Sequence, residues 1–533
     1  MTNNFVDAIE KEVAWKKTEN GQTALNTTFD ACLDLFSVVG AFRTRNGYNF
    51  SDLVGKFVSA YAEDPLIAIK IIFYARDIEE GLGERQTFKT CLKALAERHP
   101  EDVKVNLGNL AKYGRYDDFY CLVGTPVEKD AFEYLKKVFL ADIKNCEEGK
   151  PITLLAKWLK SVNTSSEESK ALGRLTAKYF GLSETLYRKS VSKLRKYLVV
   201  LEQQMSANEW DLINFSTVPG GAAKKYTKAF YRHQEERYKE YLEALKTGKT
   251  VTVKTADGKE KEVVAKINSK NLYPYEILEK YAKVGYESNG WYCSGTFALG
   301  RYKYSEECEA LWNGLKDWID GVECNTIVVA DTSGSMCGRP LATSVGLGIY
   351  FAERNTGPFH NRFMTFSSRP SWINLDEGSA LCDKIAKVPD ICENTNLEAS
   401  FDLILNTALQ HNLKPEDMPK NLVIITDMEF DSCVTDNTSP GGWYYGSTDM
   451  TFYDAMKLKY KKYGYELPQI VFWNVNARND TYHTSAKTKN VRMVSGQATS
   501  VFKSLIDGTS WTPYDFMLEV LNNERYNSVV LGK

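Results

Sequence analysis

The chain has 533 residues, of which 43% are hydrophobic and 26% are charged, a composition typical of globular proteins with large cores. Its 67 Lys and Arg residues nearly balance its 69 Asp and Glu residues, so the formal net charge is only -2. This balance excludes a globally basic nucleic-acid binder and a chain with a long acidic tail, although it leaves room for a local basic patch. At about 100 to 200 residues per domain, the length predicts more than one folded unit.

Nothing in the chain predicts a membrane protein. No stretch approaches the roughly 18 to 20 apolar residues that a membrane-spanning helix needs. The first residues, MTNNFVDAIEKEVAWKK, lack the basic segment and apolar run of a secretory signal. The 11 cysteines include no C-x-x-C pair, which argues against a zinc ribbon or a disulfide framework. We therefore expect a cytoplasmic protein with no membrane partner.

The first half of the chain has the pattern of successive short helices. Asp64-Pro65 is typical of a helix cap followed by a first-turn proline. Phe88, Cys91, Leu92 and Leu95 follow the spacing of an amphipathic helix. Prolines recur between such segments, which favours helices stacked side by side as in a helical repeat array. The turn dipeptide Asp257-Gly258, between two strand-like runs, predicts a β-hairpin near residues 249–268.

Two glycine-containing loops in this half resemble the start of an anion-binding helix. The first contains Gly81, Gly83 and Arg85, and the second contains Gly114 and Arg115. Neither loop has the spacing of a Walker or dinucleotide motif. We interpret both as structural turns with an ion-paired arginine, and neither supports a nucleotide hydrolase.

Basic residues are concentrated between positions 150 and 240, where Lys and Arg exceed Asp and Glu by 17 to 9. The helical spacing of Lys189, Lys193 and Lys196 places them on one face, away from the apolar stripe. A second basic stretch is interleaved with aromatic residues, which suits single-stranded nucleic acid because charges follow the backbone and rings stack on bases. The alternative is a solvated helix face with core aromatics. The candidate RNA-binding residues are Arg188, Lys189, Lys193, Arg195, Lys196, Lys224, Lys225, Lys228 and Arg232.

The last 210 or so residues change to strands alternating with helices, which predicts a mostly parallel sheet covered on both faces. Its ligands would bind at the carboxyl ends of the strands. The predicted strands are 325–331, 362–366, 372–375, 421–427, 469–476 and 491–496, and the predicted helices are 340–354 and 397–411.

An acidic residue and two hydroxyls stand at the end of the first of these strands, at Asp331, Ser333 and Ser335. Thr395 precedes a predicted helix, and Asp427 ends another predicted strand. A doubly wound sheet would bring all five to the same rim. Because these ligands are all oxygens, they suit a hard divalent cation such as Mg²⁺.

This set resembles the metal-ion-dependent adhesion site (MIDAS) of von Willebrand factor A domains, and the resemblance covers residues 321 to about 530. It implies that the two serines and the threonine supply hydroxyls to the metal, that the aspartates act mostly through water, and that a partner's carboxylate completes the coordination. The sequence departs from the family in having Asn394 and Asn396 around the threonine and Met428 after Asp427, where glycines are common. The alternatives are an A domain whose site is empty and a chance match on another α/β domain.

An A domain preceded by about 300 residues of helices resembles the Ro ribonucleoprotein family, in which a ring of helical repeats, the TROVE module, is closed by an A domain. The segments RDIEEGLGERQTF and KLRKYLVVLEQQM are closest to an uncharacterised family with a similar helical region and an A domain. We therefore expect a multidomain protein. Residues 1–320 would form a HEAT-like α-helical ring or arc, and residues 321–533 a doubly wound, Rossmann-like α/β domain.

The leading hypothesis is a non-enzymatic RNA-binding protein that holds single-stranded ends or structured small RNA on a basic helical surface. The alternative is a metal-dependent protein interaction module, in which an acidic residue of a protein partner completes the metal site. A metal-dependent phosphoryl-transfer enzyme is the third hypothesis, but the sequence lacks a phosphate-cradling loop and a second carboxylate cluster.

Overall fold

The computed structural model describes most of the chain. The described residues are 14–42, 50–254, 259–281, 288–289, 292–293, 304–320, 322, 324–336, 338–366, 370–389, 396–430 and 452–532.

Helices dominate the described residues before position 320. They are α1 (Ala31–Phe36), α2 (Phe50–Glu63), α3 (Pro65–Arg76), α4 (Gln86–Arg98), α5 (Pro100–Val105), α6 (Leu107–Tyr113), α7 (Glu128–Glu147), α8 (Leu155–Trp158), α9 (Glu167–Phe180), α10 (Glu184–Tyr197), α11 (Leu201–Ser206), α12 (Gly220–Thr247), α13 (Pro274–Tyr281) and α14 (Glu306–Asn313). The predicted cap is confirmed, because the Asp64 carboxylate accepts a hydrogen bond from the Ile67 N–H at 2.9 Å. The apolar stripe predicted for α4 is also confirmed, because Phe88, Cys91, Leu92 and Leu95 are buried.

Three short antiparallel strand pairs accompany these helices. They are β1 (Trp15–Lys17) with β2 (Thr23–Leu25), β3 (Thr250–Lys254) with β4 (Glu260–Val264), and β5 (Ser288–Asn289) with β6 (Tyr292–Cys293). The pairing of β3 with β4 confirms the predicted hairpin. Its predicted turn, Asp257-Gly258, lies outside the described residues.

A six-stranded sheet follows, built from β7 (Thr326–Asp331), β8 (Arg362–Phe366), β9 (Ser371–Asn374), β10 (Asn421–Thr426), β11 (Gln469–Asn474) and β12 (Val491–Ser495). The strand order is β12-β11-β10-β7-β8-β9, and only β9 pairs antiparallel. The associated helices are α15 (Arg339–Arg354), α16 (Leu381–Ala386), α17 (Leu397–Gln410), α18 (Phe452–Lys462), α19 (Ser500–Asp507) and α20 (Pro513–Leu521). The strands predicted from apolar runs are confirmed to within one or two residues, as is the class of fold, helices followed by an α/β unit.

The helical half and the sheet share one hydrophobic core, which contains Phe36 and Phe73 together with Trp473 and Phe502. The contact is close near the start of the chain, where the Gly40 N–H donates to Ser495 Oγ at 3.0 Å. A side chain at Gly40 would meet the backbone of Gly496, because an added Cβ would lie 2.7 Å from its Cα. The two halves therefore pack as one body.

Segments near both ends of the described chain form hydrogen bonds between the helical half and the half that contains the sheet. At the N-terminal end, Leu25 pairs with Tyr482 in an antiparallel bridge. At the other end, the amides of Asn106 and Asn109 donate to the backbone carbonyls of Val530 and Ser528 at 2.6 and 2.8 Å. No described helix combines the length and the hydrophobicity that a membrane span requires.

Candidate metal site and candidate RNA interface

The sheet brings Asp331 and Asp427 to the same edge. Strands β7 and β10 are parallel neighbours, with Ala330 opposite Ile425, so both aspartates lie where these strands end. Thr426 joins the two ends, because its hydroxyl donates to Asp331 Oδ2 at 2.7 Å. The strand pattern of the sequence predicted this juxtaposition.

The two serines of the motif lie against these carboxylates. The Ser333 N–H donates to Asp331 Oδ1 at 2.8 Å, and Ser333 Oγ lies 3.2 Å from Ser335 Oγ. Ser335 also shares a side-chain hydrogen bond with Asp427. The structure thus brings four of the five predicted ligands together. The fifth, Thr395, lies outside the described residues, and Asn396 caps the helix α17 that follows it.

Burial and mutual repulsion perturb both carboxyl groups. Asp331 is 0% exposed, and burial followed by the charge of Asp427 raises its pKa to about 7. Burial also raises the pKa of Asp427, whereas the positive charge of Arg478 opposes this rise. Two buried carboxyl groups this close are costly unless a cation or a proton balances their charge.

The sequence analysis missed the cation that the chain itself supplies. Arg478 Nη2 lies 2.8 Å from Asp427 Oδ2 and 3.2 Å from Glu19 Oε2. Arg478 belongs to the loop after β11, which is adjacent to β10 in the sheet. Strand order is not readable from this sequence, so no signal pointed to the residue. The arginine offsets one of the two carboxylates.

The backbone after Asp427 turns sharply at Met428. Met428 has a φ of 68°, in the left-handed region that favours glycine. The same turn is anchored by the hairpin β1–β2, since the Thr18 hydroxyl donates to the Phe430 carbonyl at 2.7 Å. Glu429 is also fixed there, because its Oε2 accepts the Glu19 N–H at 2.8 Å.

The donor set fits a small, hard divalent cation. Asp331, Ser333, Ser335 and Asp427 offer only oxygen atoms, and two of these residues carry carboxylates in a buried position. Within the described ranges no group of three or more His, Cys, Asp or Glu residues could hold a metal ion, so any metal here would depend on the hydroxyls. Such a site would keep water or a partner's oxygen in its remaining positions.

Helix α10 presents its basic residues as the periodicity predicts. Val191 and Leu194 are buried, whereas Arg188, Lys189, Lys193 and Lys196 are exposed. Lys193 lies 3.2 Å from Glu147 in an exposed ion pair. The other three exposed basic side chains form no ion pair with a described acidic residue.

Arg195 has a different place from the other basic residues of α10. Its guanidinium donates to the carbonyls of Ala156 and Leu159 at 2.8 and 2.7 Å and to Ser161 Oγ at 3.1 Å. These bonds fix the segment 156–161, which contains Trp158. The geometry therefore gives Arg195 a positioning role, which periodicity alone did not reveal.

The second basic stretch lies along α12. Lys225, Lys228 and Arg232 are exposed, whereas Lys224 is half-buried and burial lowers its pKa. The aromatic residues between them also differ in burial. Lys225 Nζ lies 4.9 Å from the centre of the half-buried Tyr226 ring, but Phe230 is a core residue.

Two adjoining clefts connect the two basic stretches. The first, the α10 cleft, has a volume of about 800 Å³, and its charged and aromatic lining residues are Lys157, Trp158, Tyr187, Arg188, Lys189, Arg195 and Glu202. The second, the arginine cleft, measures about 770 Å³, and its charged and aromatic lining residues are Arg76, Arg85, Arg115, Lys157, Trp158, Glu202, Lys225, Tyr226, Lys270, Tyr273 and Glu276. Lys157, Trp158 and Glu202 line both clefts, so the clefts meet at the Trp158 indole.

The prediction of an ion-paired arginine is confirmed for the first glycine loop and is wrong for the second. Arg85 pairs with Asp117, while Arg76, at the end of α3, pairs with Asp118 at 2.7 Å. Arg115 instead packs over the Trp158 ring, with its guanidinium carbon 4.8 Å from the ring centre. Both loops lie at the arginine cleft.

In comparison with known proteins, both halves match families that are described only as domains of unknown function. Residues 325–526 match the family described as "Domain of unknown function (DUF7788)". Residues 18–150 and 152–285, together half of the chain, match the family described as "Domain of unknown function (DUF2828)".

A similar protein is "Uncharacterized protein L728" of Acanthamoeba polyphaga mimivirus. It is 28% identical over 555 aligned positions, which include 97% of this chain and 88% of the viral protein. The similarity thus extends through the helical half and the sheet alike. With half of its length matched by the DUF2828 family, the chain belongs to that family.

Proposed function

We propose that this chain is a non-enzymatic RNA-binding protein whose helical half holds single-stranded RNA, or the single-stranded end of a structured small RNA, along its basic clefts. The observation that carries the proposal is the junction of the two clefts at Trp158. There, an aromatic ring lies between two basic surfaces contributed by distant segments of the chain. Single-stranded nucleic acid is bound by this combination of charge and stacking rings.

The α10 cleft offers charges that nothing else in the described chain uses. Arg188 and Lys189 line it, and neither forms an ion pair with a described acidic residue. Lys196 is exposed on the same helix. Because a phosphate contact requires a cation free to exchange its counterions, these residues suit a phosphodiester backbone better than Lys193, which pairs with Glu147.

The binding experiment uses a short fluorescent oligouridylate and the full-length chain. We expect Arg188→Gln, Lys189→Gln and Lys196→Gln, combined in one variant, to weaken binding strongly. A matched variant with three exposed lysines of α18 changed, Lys457→Gln, Lys461→Gln and Lys462→Gln, removes the same charge from the other half of the chain. Equal affinities in the two variants would contradict the assignment of RNA binding to α10.

The proposed architecture is that of the Ro ribonucleoproteins. The helical half would be a TROVE-type, HEAT-like ring or arc, and the sheet a von Willebrand factor A-like domain with a metal-ion-dependent adhesion site. In its support, the order of helices before a largely parallel sheet agrees with that plan. The Asp331 carboxylate and the hydroxyls of Ser333 and Ser335 also lie together at a strand end.

The second candidate function is a metal-dependent protein interaction. Asp331, Ser333, Ser335, Asp427 and Thr395 would hold Mg²⁺ or another divalent cation, and an acidic residue of a protein partner would complete its coordination. The packing of two buried carboxyl groups beside two hydroxyls favours this proposal. A chelator should then prevent partner capture while RNA binding persists.

A further inference from the structure

The arginine cleft contains a buried cation with unused hydrogen-bonding capacity. Arg76 is 1% exposed and lines this cleft. Its Nε donates to Asp118 Oδ2 at 2.7 Å, but its Nη2 has no hydrogen-bond partner in the described part of the chain. Because buried guanidinium groups are almost always satisfied, an unpartnered N–H donor at a cleft indicates the place of an acceptor.

A second arginine lies beside it without an acidic partner. The Arg115 guanidinium forms no ion pair among the described residues and rests on Trp158. Burial lowers the pKa of Arg115 and the positive charge of Arg76 lowers it further, whereas the charges of Asp117 and Asp118 oppose this change. Asp118 already pairs with Arg76, so a further anion at the cleft would reduce the repulsion that remains between the two guanidinium groups.

The N-terminus of α12 opens into the same cleft. Pro219 precedes the helix and offers no capping side chain, and Gly220 and Gly221 line the cleft. The Gly220 N–H donates to the Asn268 carbonyl at 2.8 Å. The next amide, the Gly221 N–H, has no acceptor among the described residues. Gly221 is exposed, and an added Cβ there would meet nothing within 4 Å. The positive end of the helical segment that runs from Gly220 to a kink at Gln234 thus adds to the arginine charges.

The charge of the cleft matches a dianion. Its cations are Arg76, Arg85, Arg115, Lys157, Lys225 and Lys270, and its lining acids are Glu202 and Glu276. Asp117 and Asp118 do not line the cleft, but they balance the charges of Arg85 and Arg76. Lys89 also lies within 4.0 Å of both aspartates. At least two positive charges therefore remain, whereas a phosphodiester carries one negative charge and a phosphate monoester carries nearly two at pH 7.

We propose that the arginine cleft binds the phosphate monoester of a nucleotide, either free or at the end of an RNA strand. Arg76, Arg115 and the Gly221 amide would hold the phosphate oxygens, and Tyr226 would offer a ring to the base. The inference rests on the proposed function only for the second source, in which a strand lying in the α10 cleft continues past Trp158 and ends here.

The experiment compares probes that differ only in the phosphate. The first pair is uridine 5′-monophosphate and uridine, titrated calorimetrically into the full chain. The second set is a short oligouridylate with a phosphate at its 5′ end, at its 3′ end or at neither end. We expect the phosphorylated probe of at least one set to bind about tenfold more tightly than its hydroxyl counterpart.

Two variants separate this site from the α10 cleft. Arg115→Gln removes a cation without leaving a described carboxylate unpaired, so we expect it to fold and to abolish the preference for the phosphate. Lys189→Gln should weaken every RNA probe by the same factor and preserve the preference. If Arg115→Gln has a lower melting temperature than the wild type, Lys225→Gln, at an exposed position of the same cleft, serves in its place.

The outcomes distinguish this inference from the proposed function. The monoester site is overturned if the RNA affinity does not depend on the terminal phosphate and the monophosphate does not bind. That result leaves the proposed function standing. Binding of the monophosphate without binding of any RNA supports the site with a free nucleotide and removes the proposed function. A phosphate preference that survives in both cleft variants also overturns the assignment.

Discussion

Asp77 and Arg525, 448 residues apart in the chain, form a two-pronged ion pair that joins the helical half to the last described segment. Arg525 Nη2 donates to Asp77 Oδ1 at 2.7 Å, and its Nε donates to Asp77 Oδ2. The side chain of Asp77 is fully buried, and its Oδ2 also accepts the Tyr526 hydroxyl at 3.0 Å. The hydrogen bonds to Asp77 raise the pKa of Arg525, so its guanidinium stays charged.

Breaking this pair should destabilise the whole protein. We expect Arg525→Ala to lower the free energy of unfolding by about 3 kcal/mol, because it leaves the Asp77 carboxylate buried without its cation. Urea denaturation followed by circular dichroism measures the change. The control is Glu80→Gln, which removes a half-exposed ion pair, with Glu80 Oε2 3.0 Å from Lys503 Nζ, and should cost under about 1 kcal/mol. Similar losses of unfolding free energy in both variants would show that the buried pair contributes no more to stability than the control pair.

RNA binding should depend on salt in proportion to the number of phosphates contacted. For single strands, each neutralised phosphate adds about 0.7 to the slope of log affinity against log salt. The variant with Arg188→Gln, Lys189→Gln and Lys196→Gln should therefore reduce the slope by about 2. Fluorescence anisotropy at several salt concentrations measures it. An unchanged slope would mean that these side chains do not contact the backbone.

Mg²⁺ should stabilise the fold by binding at Asp331, Ser333, Ser335 and Asp427. A ligand present at 100 times its dissociation constant adds about 2.7 kcal/mol to the free energy of unfolding. The variant with Ser333→Ala and Ser335→Ala should lose this stabilisation, whereas the exposed control Ser165→Ala should keep it. Thermal melting with Mg²⁺ and with a chelator provides the measurement. Stabilisation that persists in the double variant would place the cation elsewhere.

Acid should destabilise the protein through a buried histidine. His483 is 2% exposed, and burial lowers its pKa from 6.5 to about 4. Its Nε2 donates to the Met428 carbonyl at 2.9 Å, and its Nδ1 has no partner in the described part of the chain. Protonation would place an unpaired charge there, so the folded state favours the neutral ring.

The stabilising effect of neutral His483 is complete above pH 6.5 and is lost as the pH falls toward 4. The loss over this interval should be about 3 kcal/mol. Denaturant unfolding at several pH values measures it. His483→Gln should flatten the dependence in this interval, whereas His411→Gln, at an exposed position, should leave it unchanged. The same steep loss in both variants would assign the acid sensitivity to other groups.

Local patterns in the sequence were sufficient for the individual elements. The stripe of Val191 and Leu194 predicted the buried face of α10, and the strand ends predicted that Asp331 and Asp427 would lie together. Both predictions depend only on the period of the element and on the parallel arrangement of strands.

Contacts between distant segments could not be predicted in this way. Arg478 reaches Asp427 only because β11 lies beside β10, and Arg195 turns inward because a separate segment offers carbonyl groups. The arginine cleft is assembled from Arg76, Arg115, Trp158 and Gly221, which no local spacing connects.

The continuous core has a consequence for how this protein evolves. Phe36, on a helix of the first half, belongs to the same packed interior as Trp473 of the sheet, and Gly40 leaves no room for a side chain against Gly496. A recombination event that joined either half to an unrelated sequence would expose this interior to water. We therefore expect genomes to transmit the two matched families together as one reading frame, with paired substitutions across their contact, and not as exchangeable modules.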